Sequence, residues 1–381
     1  MKILFVTRES GLDRRYGLGR STSHLIAQLQ ALGIAVDYFC TEQLSAQQQA
    51  QAEVWARRAG RFTGRELHPL LHSITRTWAT GRAAMRHAQQ HGHSHVHCHD
   101  ALLTRAAQTG AHSAHPVAIG LTQHGFHSMA QALHRHVLPL PRWLRAAFDH
   151  IERRALADAH WIIHPARLGL ANIAAELRLT PDARWHAIGH HIPAPAALDR
   201  AAAREQLGCT PGRRYLLAVG QLIPLKRFDW IIRALGQSGE DWQLLLLGDG
   251  DPTPYRAAAR AAGIAPPLFA STDDPAPYYA AADAYVSASS TESYGMANVE
   301  AVLAGLPSLC TAVGAVSEVV GDAALLARDD FDHFAAQLKL LLSTEALREQ
   351  LCERTQAFAR TRPTAAAIAG QYSRIYQAAQ P

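Results

Sequence analysis

The chain has 381 residues, 48% of them hydrophobic and 18% charged, with a formal net charge of +5. That length exceeds one ordinary core and favours two domains, and that apolar share excludes a disordered chain. No run of roughly eighteen apolar residues occurs, so no membrane-spanning helix is expected.

MKILFVT reads as a short buried parallel strand, and GLDRRYGLGR as a glycine-rich loop. STSHLIAQLQALG then predicts a helix with Ser21 or Thr22 as N-cap and Gly33 as its stop. IAVDYF is the next strand, which completes a βαβ unit. Residues 45–93 are rich in Gln, Ala and Arg and read as helical. HGHSHVHCHD, residues 91–100, repeats histidine at every second position, the period that puts side chains on one face of a strand. Two readings stay open there: a metal site, or a surface histidine-rich lead-in, HGHSH, followed by a short buried strand, HVHCHD. VAIGLTQH and HWIIH are further strands, and PLPRWLRAAFDHIERRALADA predicts a basic amphipathic helix. HIPAPAALD, residues 191–199, is the linker candidate.

A second α/β series begins near residue 213. YLLAVG, WQLLLLG, PLFA, AYVSAS and PSLCT read as strands, and RFDWIIRALGQ, PYRAAARAAG and MANVEAVLAG as helices. Alternating strands and helices predict two parallel-sheet α/β domains, with ligands at the carboxyl ends of the strands. Domain boundaries are expected at 1–193 and 194–365, the last helix, 366–381, rejoining the first domain.

The two halves differ in charge. Residues 1–200 hold 22 Lys and Arg against 13 Asp and Glu; the remainder hold 15 against 19. Only His333 lies beyond residue 200. A basic half fits nucleic acid, an anionic membrane or a phosphorylated substrate. No helix-turn-helix, zinc-finger or aromatic-basic RNA pattern occurs, so nucleic acid is not expected. The first loop lacks a clean GxGxxG, which argues against a dehydrogenase. The cysteines (Cys40, Cys98, Cys209, Cys310, Cys352) are odd in number and form no CxxC, as for reduced thiols. With no long apolar leader after MKILFVT, a cytoplasmic location is expected.

Three stretches of the second half carry chemistry. In VGQLIPLKRFDW a strand ends at Gly220 and a loop bears Lys226 before a helix, where an ammonium can hold a diphosphate beside backbone N–H groups. In TESYGMANVEAVLAGLP, Glu292 follows a strand, Gly295 permits close backbone approach, and Glu300 lies in the next helix. Carboxylates there accept hydrogen bonds from hydroxyls while the N–H groups of Gly295, Met296 and Ala297 meet phosphate oxygens. LLLLGDGD runs a strand into a turn at Asp249-Gly250-Asp251.

This order (G-x(4,5)-K after a strand, a GDG turn, then E-x7-E before a helix ending AGLP) resembles the retaining glycosyltransferases of family 4, which have the two-Rossmann GT-B fold. RYGLGR, HVHCHD, LTQHGF and the final GQYSRIYQA are similar to segments of the same family. The resemblance implies sugar transfer from a UDP- or GDP-linked donor to a hydroxyl acceptor, with retention and without metal or other cofactor. It implies that Lys226 neutralises the diphosphate, Glu292 binds hydroxyls of the donor sugar, Glu300 binds the ribose, and His124 aligns the transferred sugar. Gly17 and Gly19 would close on the diphosphate or the acceptor, and His97, His99 and Asp100 would line the acceptor side. One departure is Gln221, where the family carries Arg; Arg227 stands nearby as a substitute charge. The acceptor is expected to be a lipid-linked or polysaccharide precursor. Peripheral contact with an anionic membrane is expected through Arg142, Trp143, Leu144, Arg145, Phe148, Arg153 and Arg154. The alternatives are a small soluble acceptor, or a silent nucleotide-sugar-binding protein.

Overall fold

A computed structural model describes residues 1–8, 17–63, 67–111 and 115–379. Most of the loop expected before residue 17 lies outside them. The chain forms two compact units, 1–191 with 363–381, and 192–362.

The first unit holds the parallel strands β1 (Lys2–Val6), β2 (Ala35–Phe39), β3 (His95–Cys98), β4 (Ala118–Thr122), β5 (Ile162–His164) and β6 (Trp185–Ala187). The second holds β7 (Arg214–Val219), β8 (Trp242–Leu247), β9 (Leu268–Ala270), β10 (Ala284–Ser287), β11 (Ser308–Thr311) and β12 (Leu325–Ala327), also parallel. Ile3, Leu4, Phe5 and Val6 are all fully buried, as is every residue of β3 and β4. Such unbroken burial is what a sheet covered on both faces requires.

Helices α1 (Gly17–Ala31), α2 (Ala46–Thr63), α3 (His68–Gln90), α4 (Ala101–Gly110), α5 (Met129–His136), α6 (Arg142–Ala157) and α7 (Arg167–Leu177) cover the first sheet. In the second unit they are α8 (Arg200–Gln206), α9 (Phe228–Ser238), α10 (Thr253–Ala262), α11 (Ala276–Ala281), α12 (Met296–Leu303), α13 (Val316–Val320), α14 (Phe331–Ser343) and α15 (Glu345–Thr361). The last helix, α16 (Ala365–Ala378), packs Ile368, Ala369, Tyr372 and Tyr376 into the first unit's core beside Ile3, Phe5 and Trp161.

The strand order is β2-β1-β3-β4-β5-β6 in the first sheet and β12-β11-β10-β7-β8-β9 in the second. Each sheet is therefore built outward one way and then the other. The reversal falls between β1 and β3, and between β10 and β7. Loops leave on opposite faces at such a point, and a crevice opens at the carboxyl ends of the strands.

Two local expectations are corrected. The first helix starts at Gly17, not at a Ser21 or Thr22 cap; both residues are buried inside α1, where packing outweighs their cap preference. In α6, Phe148 is buried with Ala155 and Leu156, so it is core rather than membrane-facing, whereas Trp143 is 60% exposed.

The histidine tract is structural over much of its length. His93 Nε2 lies 2.8 Å from Asp37 Oδ2 on β2. His95 Nε2 donates to the carbonyls of Tyr376 and Ala379 at 2.8 and 3.0 Å. His97 is completely buried, with Nδ1 2.7 Å from Tyr376 Oη and Nε2 2.8 Å from Thr122 Oγ1. Its ring stacks on Phe5 at 4.9 Å. The expectation that His97 lines the acceptor side is therefore corrected: both its nitrogens are used inside the core. Burial pushes His97 down to about 3, so the imidazole is neutral. Tyr376→Phe removes the partner of a buried ring nitrogen. It is expected to destabilise the first unit by about 1–3 kcal/mol in urea unfolding.

Candidate functional site

In the second unit the loop after β7 carries Gly220, Gln221 and a single 3-10 turn, Pro224–Lys226. The loop after β10 carries Glu292. Lys226 Nζ donates to Glu292 Oε1 at 2.5 Å, and Ser289 Oγ donates to the same oxygen at 2.8 Å. The pair is partly open, the side chains being 26% and 15% exposed. The backbone of Glu292 is fixed from a third loop, because its carbonyl accepts from Ala315 N at 3.0 Å. Gly314 makes that approach possible; a Cβ there would stand 1.9 Å from Glu292 O.

Gly295 is left-handed, with φ 73°, and caps α12. The first-turn N–H groups of Met296 and Ala297 follow, with no intrahelical acceptor by the geometry of a helix end. Glu300 is one turn further in, 3% exposed, and its Oε2 accepts from Tyr279 Oη at 2.9 Å. Next to it, Tyr285 Oη donates to Asn298 Oδ1 at 2.9 Å, which pins α12 to β10. One ammonium, two carboxylates and a positive helix end thus gather at the carboxyl edge of the sheet, on the loops beside its point of reversal.

One of the expected donor-side residues is engaged elsewhere. Arg227 has a left-handed backbone, φ 47°, and its guanidinium pairs with Asp329 and lies 4.4 Å from the Trp230 ring centroid. That ion pair and ring contact hold it away from the substitute role expected beside Lys226. Gln221 is exposed. The Asp249-Gly250-Asp251 turn is occupied locally: Ser271 Oγ donates to Asp249, and Asp251 Oδ1 accepts from Thr253 N at 2.9 Å at the start of α10. Among the described residues, no three His, Cys, Asp or Glu side chains are grouped so as to hold a metal ion.

In the first unit the loops after β1, β3 and β4 surround a basin of about 810 Å³, lined by Arg8, Thr41, Arg76, His99, Asp100 and His124 among others. Asp100 is the N-cap of α4, accepting from Leu103 N at 2.7 Å, and pairs with Arg8 Nε at 2.7 Å. His99 Nδ1 lies 2.8 Å from His124 Nε2, the two rings within 10° of parallel. The His190 ring lies nearly parallel to that of His124, with centroids 5.6 Å apart. Burial, then the neighbouring imidazoles, hold His99 and His124 well below the usual histidine range. Both are neutral, and one donates its proton to the other. Gly17 and Gly19 fall in the first turn of α1, so they belong to a helix start rather than a free loop.

Residues unmarked in the sequence reading support His124. Glu152 on α6 is fully buried; its Oε1 accepts from Gln123 Nε2 at 2.6 Å and its Oε2 from Met129 N at 2.7 Å. Glu176 on α7 accepts from His127 Nδ1 at 2.8 Å and from Ser128 N at 2.7 Å. Glu152 had a legible signal: an acid four residues after Phe148 and three before Ala155 sits on the apolar face of a basic helix. Burial pushes it up to about 8, against the N–H of Met129 and the Gln123 amide, which favour the charged form.

Residues 16–194 match the family described as Glycosyltransferase Family 4, and residues 213–344 that described as Glycosyl transferases group 1. D-inositol 3-phosphate glycosyltransferase 2 of Catenulispora acidiphila is 32% identical over 200 residues, 46% of this chain and 47% of that protein. D-inositol 3-phosphate glycosyltransferase of Mycobacterium sp. (strain KMS) is 34% identical over 160 residues, 38% and 36% of the two chains. The matches thus span less than half the length of these curated relatives. Among solved structures, sucrose-phosphate synthase of Thermosynechococcus elongatus aligns with a TM-score of 0.77 at 18% identity, over 99% of each chain. HepE of Anabaena in complex with UDP-glucose aligns with a TM-score of 0.71 at 16% identity, over 99% and 100%. At these identities the structural likeness bears on the fold.

Glu152 yields a pH prediction. A carboxyl raised from 4.5 to about 8 on folding keeps its proton in the folded chain while the unfolded chain has lost it. Stability from this group is full below 4.5 and is lost as pH rises through about 8. The depressed His99 and His124 act oppositely, but only below their ordinary value of 6.5. Between about pH 7 and 8.5 the wild-type melting temperature should therefore fall more steeply than that of Glu152→Gln, in calorimetric scans across that window.

Proposed function

Because this chain belongs to glycosyltransferase family 4 and has the GT-B fold, we propose that it transfers a sugar from a nucleotide-diphospho-sugar, UDP- or GDP-linked, to a hydroxyl acceptor. Transfer retains configuration at the anomeric carbon and needs no metal ion. The Lys226–Glu292 pair at the carboxyl edge of the second sheet carries this reading. A leaving nucleoside diphosphate develops negative charge. Lys226 Nζ and the first-turn N–H groups of Met296 and Ala297 are the groups that stabilise it, at fixed positions and with little reorganisation. Glu292 both anchors the ammonium and offers its carboxylate to donor-sugar hydroxyls. Glu300, held by Tyr279, takes the ribose hydroxyls. His124, neutral and braced by His99 and His190, hydrogen-bonds the transferred sugar without adding charge to an oxocarbenium-like centre.

The acceptor is a lipid-linked or polysaccharide precursor met at an anionic membrane. The exposed Trp143 and Val137, 60% and 64% accessible beside Arg142, support this. No helix among the described residues is long and apolar enough to cross a membrane, so contact is peripheral. A second reading, a small phosphorylated polyol, is favoured by the names of the relatives and by Arg8 and Arg76 in the first unit's basin.

Nucleotide release from a panel of UDP- and GDP-sugars, with and without EDTA, tests the reaction. One donor is expected to be turned over, insensitively to EDTA. Lys226→Ala and Glu292→Ala should each slow release by at least about 100-fold with the fold intact. Full activity in either variant overturns the site, and binding without turnover of any donor favours a silent protein. For the acceptor, Trp143→Ser should weaken co-sedimentation with vesicles containing phosphatidylglycerol; unchanged binding favours the polyol reading.

A further inference from the structure

The segment Gln123–Ser128 joins β4 to α5 and carries His124. Six connecting residues of this kind usually turn their polar groups to water. Here side chains from other elements take them up one after another. Gln123 Nε2 donates to Glu152 Oε1 at 2.6 Å. His164 Nε2 donates to Gly125 O at 3.1 Å, and Asn172 Nδ2 to Phe126 O at 2.9 Å. His127 Nδ1 and Ser128 N meet the two oxygens of Glu176, and Met129 N closes the span on the second oxygen of Glu152. Asn172 Nδ2 also donates to Glu176 Oε1 at 3.1 Å, one turn away on α7, so the clamp is itself held rigid.

Core packing alone would not place carboxylates there. A fully buried carboxyl such as Glu152 is unfavourable unless its oxygens find donors, and apolar side chains of similar volume would suit the α6 interface better. Among the described residues, the donors to Glu152 come from the His124 segment and its first following residue, as do the His127 and Ser128 donors to Glu176. What these acids secure is the path of one short segment, and the one side chain of that segment shared between the basin and the histidine stack is His124.

We propose that Glu152 and Glu176 are positioning residues that fix the 123–128 segment, and through it the ring of His124, for the transfer step. This rests on the reading that His124 contacts the transferred sugar. Neither acid touches substrate; both act by removing alternative paths of the segment. A misplacement of about 1 Å in a group that must meet a transition state costs on the order of 100-fold.

The test uses the full chain with the donor turned over in the panel, and, independently of any donor, the side-chain resonances of histidine-labelled protein. Glu176→Leu and Glu152→Leu are expected to lower kcat by about tenfold or more, with donor KM changed less than about threefold. Glu176→Gln, which keeps one acceptor, should fall between Glu176→Leu and wild type. In a His124→Ala background either change should add less than about twofold, because groups acting as a unit are not additive. The His124 resonance should shift or broaden in Glu176→Leu while that of His97, in the core, stays in place. Losses that multiply in the double variants, or an unmoved His124 resonance, overturn the positioning role. Full activity of His124→Ala overturns the reading beneath it. An inactive His124→Ala beside fully active glutamate variants overturns the positioning inference alone.

Discussion

A parallel strand can be followed by another only through a crossover, and the crossovers of one sheet must divide between its faces. Where the strand order reverses, two neighbouring loops leave in opposite directions and no side chain from either helix layer can close the gap. In the first unit that gap lies between β1 and β3, in the second between β10 and β7. Arg8, His99 and Asp100 follow β1 and β3; Gly220, Lys226 and Glu292 follow β7 and β10. The chemistry is concentrated where the topology forbids a packed core.

Charges placed in such a crevice must be held without being neutralised beyond use. Lys226 and Glu292 solve this for one another. Each fixes the other's side chain, and their partial exposure leaves the remaining donor and acceptor positions to a ligand. Arg227 shows the contrast. One residue further along, its left-handed backbone turns it toward Asp329 and Trp230, and that pairing removes a cation from the edge of the sheet. The adjacency of Lys226 and Arg227 in sequence suggested a shared role. A single αL residue is enough to separate them.

The same difference governs what was legible in the sequence. Strands such as MKILFV and WQLLLL are readable because burial on both faces demands unbroken apolar runs. Gly220, Gly295 and the E-x7-E spacing are readable because only certain residues suit a strand-to-helix turn. The start of α1 was not, since Ser21 and Thr22 have cap chemistry but sit inside a buried helix. The period-two histidines gave the right strand, and the family resemblance the wrong environment for His97. Periodicity places a side chain on a face; it does not say that the facing layer is α16, nearly 280 residues away, with Tyr376 Oη in reach of the ring.

The buried polar groups follow one pattern across the first unit. His95 and His97 are kept neutral by burial and bonded to the C-terminal helix, whereas His99 and His124 are kept neutral by burial and share a single hydrogen bond. A protonated imidazole in that stack would repel its neighbours and lose its acceptor, so the stack favours uncharged rings. Acidic side chains are kept off the stack too: Glu152 and Glu176 bind the ends of the His124 segment, not its ring. The segment is therefore positioned by charge and buried polar contacts while the side chain it presents stays neutral. Under the proposed role of His124, that separation suits a group lying beside a centre that gains positive character, where a cation would raise the barrier and an unsupported loop would not hold the ring in place.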